Sequence, residues 1–362
     1  MAHSVLETAG SLVDAEPYVK FPGSDAAHRA AAQVATAFER DGFLVIRIPG
    51  INFELCREFM ANCETFALQP LEQRMKTWRP ERYHQAGLTP RSKEKPGAIH
   101  AQDRDPLIDL IAAEYRPHPV TGTDPKERFM INIGPRPTEP SGRFPELDNP
   151  EQVVPQGIPN WLEIAEAWGE QLRDAGMLML EMAAAGWGCE DHRIFSSLIE
   201  RGYNLLAPTM SELTEDGVGP DTVFAGIHKD SSMLTVHPPA THPGLDVWTR
   251  ELVKIPVRVP PGCLLAQGGR IFDWLTGGRA LRGFHQVVNR PALMPEIEQA
   301  RAEGRRIFRI ASPIFLRPAT DYRVAPIGPF ATPEVLANPF YAPFVSGERL
   351  MSGLKRRGLG YD

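Results

Sequence analysis

The stretch Thr222-Val223-Phe224-Ala225-Gly226-Ile227-His228-Lys229-Asp230-Ser231-Ser232-Met233-Leu234-Thr235-Val236 decides how this chain is read. Two short apolar runs, 222–227 and 233–236, flank the unit His228-Lys229-Asp230. Runs of that length between polar residues read as short strands. On an extended strand, residues two apart point to the same face, so His228 and Asp230 project together and can bind one metal ion.

Working outward, further short apolar runs follow at 245–248, 252–259, 263–266 and 307–316. The pairs Pro238-Pro239, Pro260-Pro261, Gly268-Gly269 and Gly277-Gly278 interrupt them. The chain holds 35 Pro and 31 Gly, well above average usage, with no period and no linker-like run. Dense turn signals between short strands favour a barrel or a double-sheet jelly roll. Upstream, two regions read as helical. Residues 26–41 follow the capping candidates Ser24 and Asp25 and stop at Gly42. Residues 160–185 carry Trp161, Ile164, Trp168, Leu172, Ala175, Met179 and Met182 at helical spacing, a stripe read as core packing. Between them, 79–159 reads as loop with one strand over 128–134. Helices first and strands after, without alternation, argue against a doubly wound parallel sheet.

The 362 residues have a formal net charge of −6, which argues against nucleic acid as the main partner but not against a small anion held by one or two Arg. Cys56, Cys63, Cys189 and Cys263 form no C-x-x-C pair and read as free thiols. No signal peptide is evident over 1–13, and no apolar run of about 18 residues occurs, so the expectation is a cytoplasmic protein without membrane spans. The G-x-S-x-G elbow, the Walker A loop, H-E-x-x-H and G-x-G-x-x-G are all missing from the sequence.

A second strand-like run, Phe284-His285-Gln286-Val287-Val288, supplies a distant histidine. Two His and one carboxylate make the facial triad of non-haem Fe(II) oxygenases, which leaves coordination positions open. An H-x-D unit with a distant His also arises by chance, and on spacing alone a hydrogen-bonded surface pair is the better reading.

Ordered blocks along nearly the whole chain add to this. They are Ala37 to Phe43, Phe66 to Lys76, His228-Lys229-Asp230 and Gly244-Leu245-Asp246-Val247. They continue through Pro261 to Leu265, His285 to Val288 and Arg309-Ile310-Ala311-Ser312-Pro313-Ile314-Phe315-Leu316-Arg317-Pro318. In this order they resemble the isopenicillin N synthase-like family of Fe(II)/2-oxoglutarate-dependent oxygenases. The Phe315-Leu316-Arg317-Pro318 ending resembles its ring-expanding deacetoxycephalosporin C synthase branch most.

The resemblance implies a mainly β fold with flanking helices around a double-stranded β-helix, the cupin-like jelly roll. It implies one oxygenase domain over 1–362. Within it, 1–200 would be helical and loop-rich, 201–320 the jelly-roll core with the metal site, and 321–362 a C-terminal extension. His228, Asp230 and His285 would hold Fe(II). Arg309 would meet the far carboxylate of 2-oxoglutarate, and O2 would complete the set. A guanidinium fork matches a carboxylate bidentately. The rival reading of Arg309 is a solvated charge beside Arg305 and Arg306.

Two departures from the family pattern bear on 2-oxoglutarate, not on iron. Ala311 stands where the family carries the Ser of R-x-S. Asn204-Leu205-Leu206-Ala207-Pro208 replaces N-Y-Y-P and lacks its tyrosine, with Asn204 or Tyr203 as compensating candidates. Residues 291–306 read as a charged helical insert covering the site. His237 and His242 read as structural or surface. His84, His100 and His118 lie in the loop region with nothing to select them, and Lys355-Arg356-Arg357 reads as a solvated tail or a lid.

The expected reaction is hydroxylation, desaturation, or oxidative cyclisation or ring expansion of a small molecule in specialised, antibiotic-type biosynthesis, with succinate and CO2 as co-products. The rivals are an iron oxidase of the same fold that consumes no 2-oxoglutarate, and a non-catalytic metal-binding protein.

Overall fold

The computed structural model describes residues 12–96, 105–120, 122–137 and 141–360. His100 lies outside them. The helix Asp25–Arg40 begins where Ser24 Oγ accepts the Ala27 N–H at 3.1 Å, and Gly42 takes a positive φ just beyond its end. A side-chain cap of this kind contributes about 1 kcal/mol. The helix Trp161–Gly186 buries Trp161, Ile164, Trp168, Leu172, Ala175, Met179 and Met182, the stripe expected from spacing. Gly169 and Gly176 lie on that face. A Cβ at either would collide with Ile133 or Leu316, so both glycines let the helix sit directly on the strands.

Two sheets dominate. In the larger, the strands run in the order Leu12–Asp14, Phe43–Arg47, Leu264–Gly268, Leu234–His237, Ile314–Leu316, Leu205–Leu206, Glu127–Asn132, Thr209–Glu212 and Phe308–Ala311. Gly87–Thr89 pairs beside Glu127–Asn132. The smaller sheet is antiparallel, in the order Lys254–Pro256, Leu245–Trp248, Phe284–Val288 and Val223–His228. Phe43, Val45 and Leu265 of the larger sheet, with Cys263 just before its strand, pack with Leu245 and Val247 of the smaller, so the two face each other across an apolar layer. The helices cover the outer side of the larger sheet through the main core. The fold is therefore sheet-rich with flanking helices.

Differences from the sequence reading have local causes. The region 1–200 supplies four strands as well as helices, because Leu12–Asp14, Phe43–Arg47, Gly87–Thr89 and Glu127–Asn132 all join the larger sheet. The run 307–316 is two strands, interrupted at Ser312-Pro313, where proline has no N–H to donate to a ladder. Of the run 252–259 only Lys254–Pro256 is strand. Several helices lie outside the sequence reading, the two longest being Phe53–Leu68, with Cys56, Phe59, Met60, Cys63 and Phe66 inward, and Ser346–Arg356. The 291–306 segment does contain a helix, Met294–Ala302. Among the described residues no helix is long and apolar enough to cross a membrane.

Candidate metal centre

Register brings the histidines together. In the smaller sheet His285 pairs directly with His228, and their ring centroids lie 4.1 Å apart. Asp230 follows two residues after His228. Nε2 of His228 lies 3.8 Å from Asp230 Oδ1, and Nε2 of His285 lies 3.7 Å from the same oxygen. These separations are too long for hydrogen bonds. They suit three donors arranged around an ion: one ligand atom from each residue lies within 4.8 Å of the others.

The remaining polar atoms of two of the donors are engaged elsewhere. His228 Nδ1 donates to the Gly226 carbonyl at 2.7 Å, which fixes the tautomer and leaves the Nε2 lone pair free. Thr235 Oγ1 donates to Asp230 Oδ2 at 2.5 Å, leaving Oδ1 free. Gly226 itself is held from the far side, its N–H donating to Asp124 Oδ1 at 3.1 Å. Burial pushes the His285 pKa down to about 3, and burial likewise lowers that of His228, which favours the neutral, ligating form of both rings. Burial alone would raise the Asp230 pKa. His285, His228 and Thr235 together outweigh it and hold the carboxyl below its usual value. A neutral N, a neutral N and a carboxylate O fit a divalent ion such as Fe(II), with positions left for other ligands.

Arg309 lies on the strand Phe308–Ala311 and is 7% exposed. Its Nε donates to the Pro243 carbonyl at 3.3 Å, and it has no acidic partner among the described residues. Burial pushes its pKa down to about 10, with the Arg290 charge adding to this. A buried guanidinium without a counter-anion is costly to leave so. The solvated-charge reading therefore fails. Ala311, two residues on, offers no hydroxyl. Ser211 is buried and pairs directly with Arg309 across the ladder, and directly opposed residues share a face. It places a hydroxyl on the sheet face that carries Arg309, a neighbour no local motif signals. His237 also belongs here. Burial pushes its pKa down to about 4, and the Arg309 charge contributes.

Asn204 needs correction. It is fully buried, its amide donates to the Ile199 carbonyl at 2.8 Å, and its Oδ1 accepts the Arg317 N–H at 3.2 Å. Both ends bind backbone, so it secures a strand junction. Tyr203 is buried with its ring under the Arg136 guanidinium. His84 accepts the Trp78 indole N–H at 3.2 Å. His118 is held through its backbone by the Gln286 side chain, and His242 contacts Thr241 and Glu296. The 355–357 segment is not a free tail: Arg357 bonds Glu94 at 3.0 Å.

A cavity of about 210 Å³ opens in front of His228 and Asp230. Its walls come from segments far apart in sequence, including Glu94, Lys126, Arg128, Phe284, Phe315, Arg317 and Arg357. Glu94 ties three cations: Arg128 at 2.8 Å, Arg357 at 3.0 Å and Lys126 at 3.3 Å. Burial raises the Glu94 pKa, but these cations overcome it and hold the carboxyl well below its ordinary value.

Comparison with known proteins agrees with this geometry. Residues 11–142 match the family described as non-haem dioxygenase in morphine synthesis N-terminal. A 2-oxoglutarate-dependent dioxygenase of Gibberella zeae is 26% identical over 186 residues, which are 46% of this chain and 45% of that protein. The chain thus spans less than half the length of that curated relative. Among solved structures, a Caulobacter crescentus protein assigned to the 2OG-Fe(II) oxygenase family superposes with a TM-score of 0.72 at 21% identity, covering 96% of this chain and 99% of that one. A full-length Neurospora crassa protein in complex with alpha-KG gives 0.70 at 18%, covering 98% and 99%. The dioxygenase for auxin oxidation in rice gives 0.65 at 17%, covering 95% of each chain. The chain has the fold these proteins share.

Proposed function

We propose that this protein is an Fe(II)/2-oxoglutarate-dependent oxygenase acting on a small molecule, built on a jelly-roll core in a single domain. The observation that carries the reading is the convergence of three free donor atoms, from His228, Asp230 and His285, at the floor of a cavity that His228 and Asp230 line. Bound there, Fe(II) with 2-oxoglutarate and O2 supplies the oxidising power to attack an unactivated C–H bond, with succinate and CO2 as co-products.

The chain's own residues do the positioning. The Gly226 carbonyl and the Thr235 hydroxyl aim two of the ligands. Arg309 receives the far carboxylate of 2-oxoglutarate, the anion its burial calls for, and Ser211 takes the place of the hydroxyl that Ala311 lacks. Losing a hydrogen bond to a charged group costs about 1.5–3 kcal/mol, which Ser211 offsets in part. Phe284 and Phe315 line the cavity and limit water at the reacting bond. Hydroxylation, desaturation and ring formation or expansion all need only this constellation, and the place of the reaction is specialised metabolism. The likeness to the deacetoxycephalosporin C synthase branch rests on Phe315-Leu316-Arg317-Pro318 alone.

Ala311 favours one second reading, an iron oxidase that takes all its electrons from the substrate. The unpaired Arg309 favours 2-oxoglutarate instead. The test is stoichiometry in the Fe(II)-loaded enzyme: succinate should form in step with O2 consumed, and His228→Ala should abolish it. Turnover that consumes O2 but no 2-oxoglutarate would establish the oxidase.

A further inference from the structure

Arg309 is not the only buried guanidinium without an acid. Arg317 follows Phe315 by two residues at the end of the strand Ile314–Leu316, so it faces the same side. It lines the cavity in front of the metal ligands, whereas Arg309 does not. It is 5% exposed, its Nε and Nη1 are buried without a hydrogen-bond partner, and it forms no ion pair among the described residues. It stacks over the Phe315 ring at 5.1 Å, its backbone N–H donates to Asn204 Oδ1 at 3.2 Å, and it feels the Asp230 carboxylate electrostatically without bonding it. Arg270 lines the same cavity beside the metal group, its N–H donating to the Asp230 carbonyl at 2.9 Å. Its guanidinium lies over Trp274 at 5.5 Å and likewise has no ion pair among the described residues.

The contrast with the other cations of this wall is direct. Lys126, Arg128 and Arg357 share Glu94, Lys229 bonds Asp105 at 2.9 Å, and Arg282 bonds Asp273 at 3.2 Å. Of the buried and half-buried cations here, Arg317 and Arg270 are left over; Lys95 and Arg349, which also form no ion pair among the described residues, are exposed. In a chain of net charge −6, a cavity whose lining is rich in cations concentrates field toward an incoming anion. An unsatisfied buried guanidinium is destabilising unless a ligand completes it.

We propose that the substrate carries an oxyanion, a carboxylate or a phosphate, and that Arg317 receives it, with Arg270 adding a second positive charge at the same cavity. Arg309 and Arg317 then divide two anions between two consecutive strands: the co-substrate on one side of the metal group and the substrate on the other. This deepens the oxygenase reading and rests on it for the word substrate. The anion site itself can be tested in the absence of turnover.

The test is calorimetric titration without O2 of benzoate, its neutral counterpart benzamide, and phenyl phosphate into the protein loaded with Fe(II) and 2-oxoglutarate. Benzoate should bind at least tenfold more tightly than benzamide. The preference should fall below twofold in Arg317→Gln and return in part in Arg317→Lys. The 2-oxoglutarate dissociation constant should stay within twofold in both variants. Phenyl phosphate binding more tightly than benzoate assigns the phosphate, and the reverse assigns the carboxylate. Equal binding of benzoate and benzamide, no binding of either anion, or a preference that survives Arg317→Gln overturns the proposal. So does loss of 2-oxoglutarate binding in a folded Arg317→Gln. Should Arg317→Gln not fold, Arg270→Gln reads the same site, with at least a threefold loss of the preference expected and no loss overturning it. Failure of wild-type protein to bind 2-oxoglutarate at all strikes the oxygenase reading instead, and the benzoate preference can still be measured.

Discussion

The floor and the wall of the cavity handle charge in opposite ways. On the floor, His228 and Asp230, which line the cavity, and their neighbour His285 come from one sheet and the turn beside it, and the ligand atoms of both histidines lie 3.7–3.8 Å from Asp230 Oδ1 with no hydrogen bond between them. On the wall, Glu94, Asp124, Lys126, Arg128 and Arg357 come from distant segments and bond one another at 2.6–3.3 Å. Groups that satisfy each other hold the structure together. Groups kept apart and unsatisfied await a ligand. Arg309 and Arg317 belong to the second kind by this criterion, although they come from the larger sheet and not from the floor.

Substitutions can break the contrast. The largest effect is expected at the floor. His285→Ala should lower bound iron below a tenth of an equivalent and activity by more than about 100-fold, with little change in thermal stability, since ligand loss should exceed the 10–100-fold effect of supporting residues. Metal analysis after anaerobic reconstitution checks this. At the wall the pattern should invert. Glu94→Gln strands three cations and should destabilise the fold by about 3–5 kcal/mol, read by denaturant unfolding, while folded protein still binds metal. The sign with pH follows from the depressed Glu94 carboxyl. Its contribution is present above the ordinary carboxylate range and lost as pH falls through its lower folded value. Glu94→Gln should therefore flatten the acid limb of the stability profile.

Arg309→Leu should raise the KM for 2-oxoglutarate by about 10–150-fold, the equivalent of 1.5–3 kcal/mol, and leave iron content unchanged. Thr235→Val should weaken iron binding by about 10–100-fold, because Asp230 loses the hydroxyl that orients it. Ser211→Ala is the smallest. Its loss should raise the 2-oxoglutarate KM by about 5–10-fold, and the double variant with Ala311→Ser should recover part of that. Steady-state kinetics at fixed substrate resolves both changes.

The floor is legible in sequence and the wall is not, for a physical reason. His228 and Asp230 are two residues apart on a strand, and period two places them together without knowledge of the rest. His285 needs the strand pairing with His228, and only resemblance and the facial-triad chemistry reach it from sequence. The helices 26–41 and 160–185 show through caps and apolar stripes. The helix Phe53–Leu68 carries the same kind of stripe, with Asn52 accepting from the Glu54 and Leu55 N–H groups, and its cysteines at core positions obscure it. By contrast, nothing near Arg357 announces Glu94, 263 positions away, and nothing near Ala311 announces Ser211. Asn204 misleads because its position matches a family strand while its side chain has backbone partners at both ends. Partners joined only by tertiary contact leave no local period to read.

If the unsatisfied groups of this site await a metal and a dicarboxylate, titration of 2-oxoglutarate without O2 reads it out. One equivalent should bind to Fe(II)-loaded protein, with much weaker binding in metal-free protein and in Arg309→Leu, and unchanged binding in Arg317→Gln. Binding of 2-oxoglutarate that is indifferent to both the metal and Arg309 would contradict it.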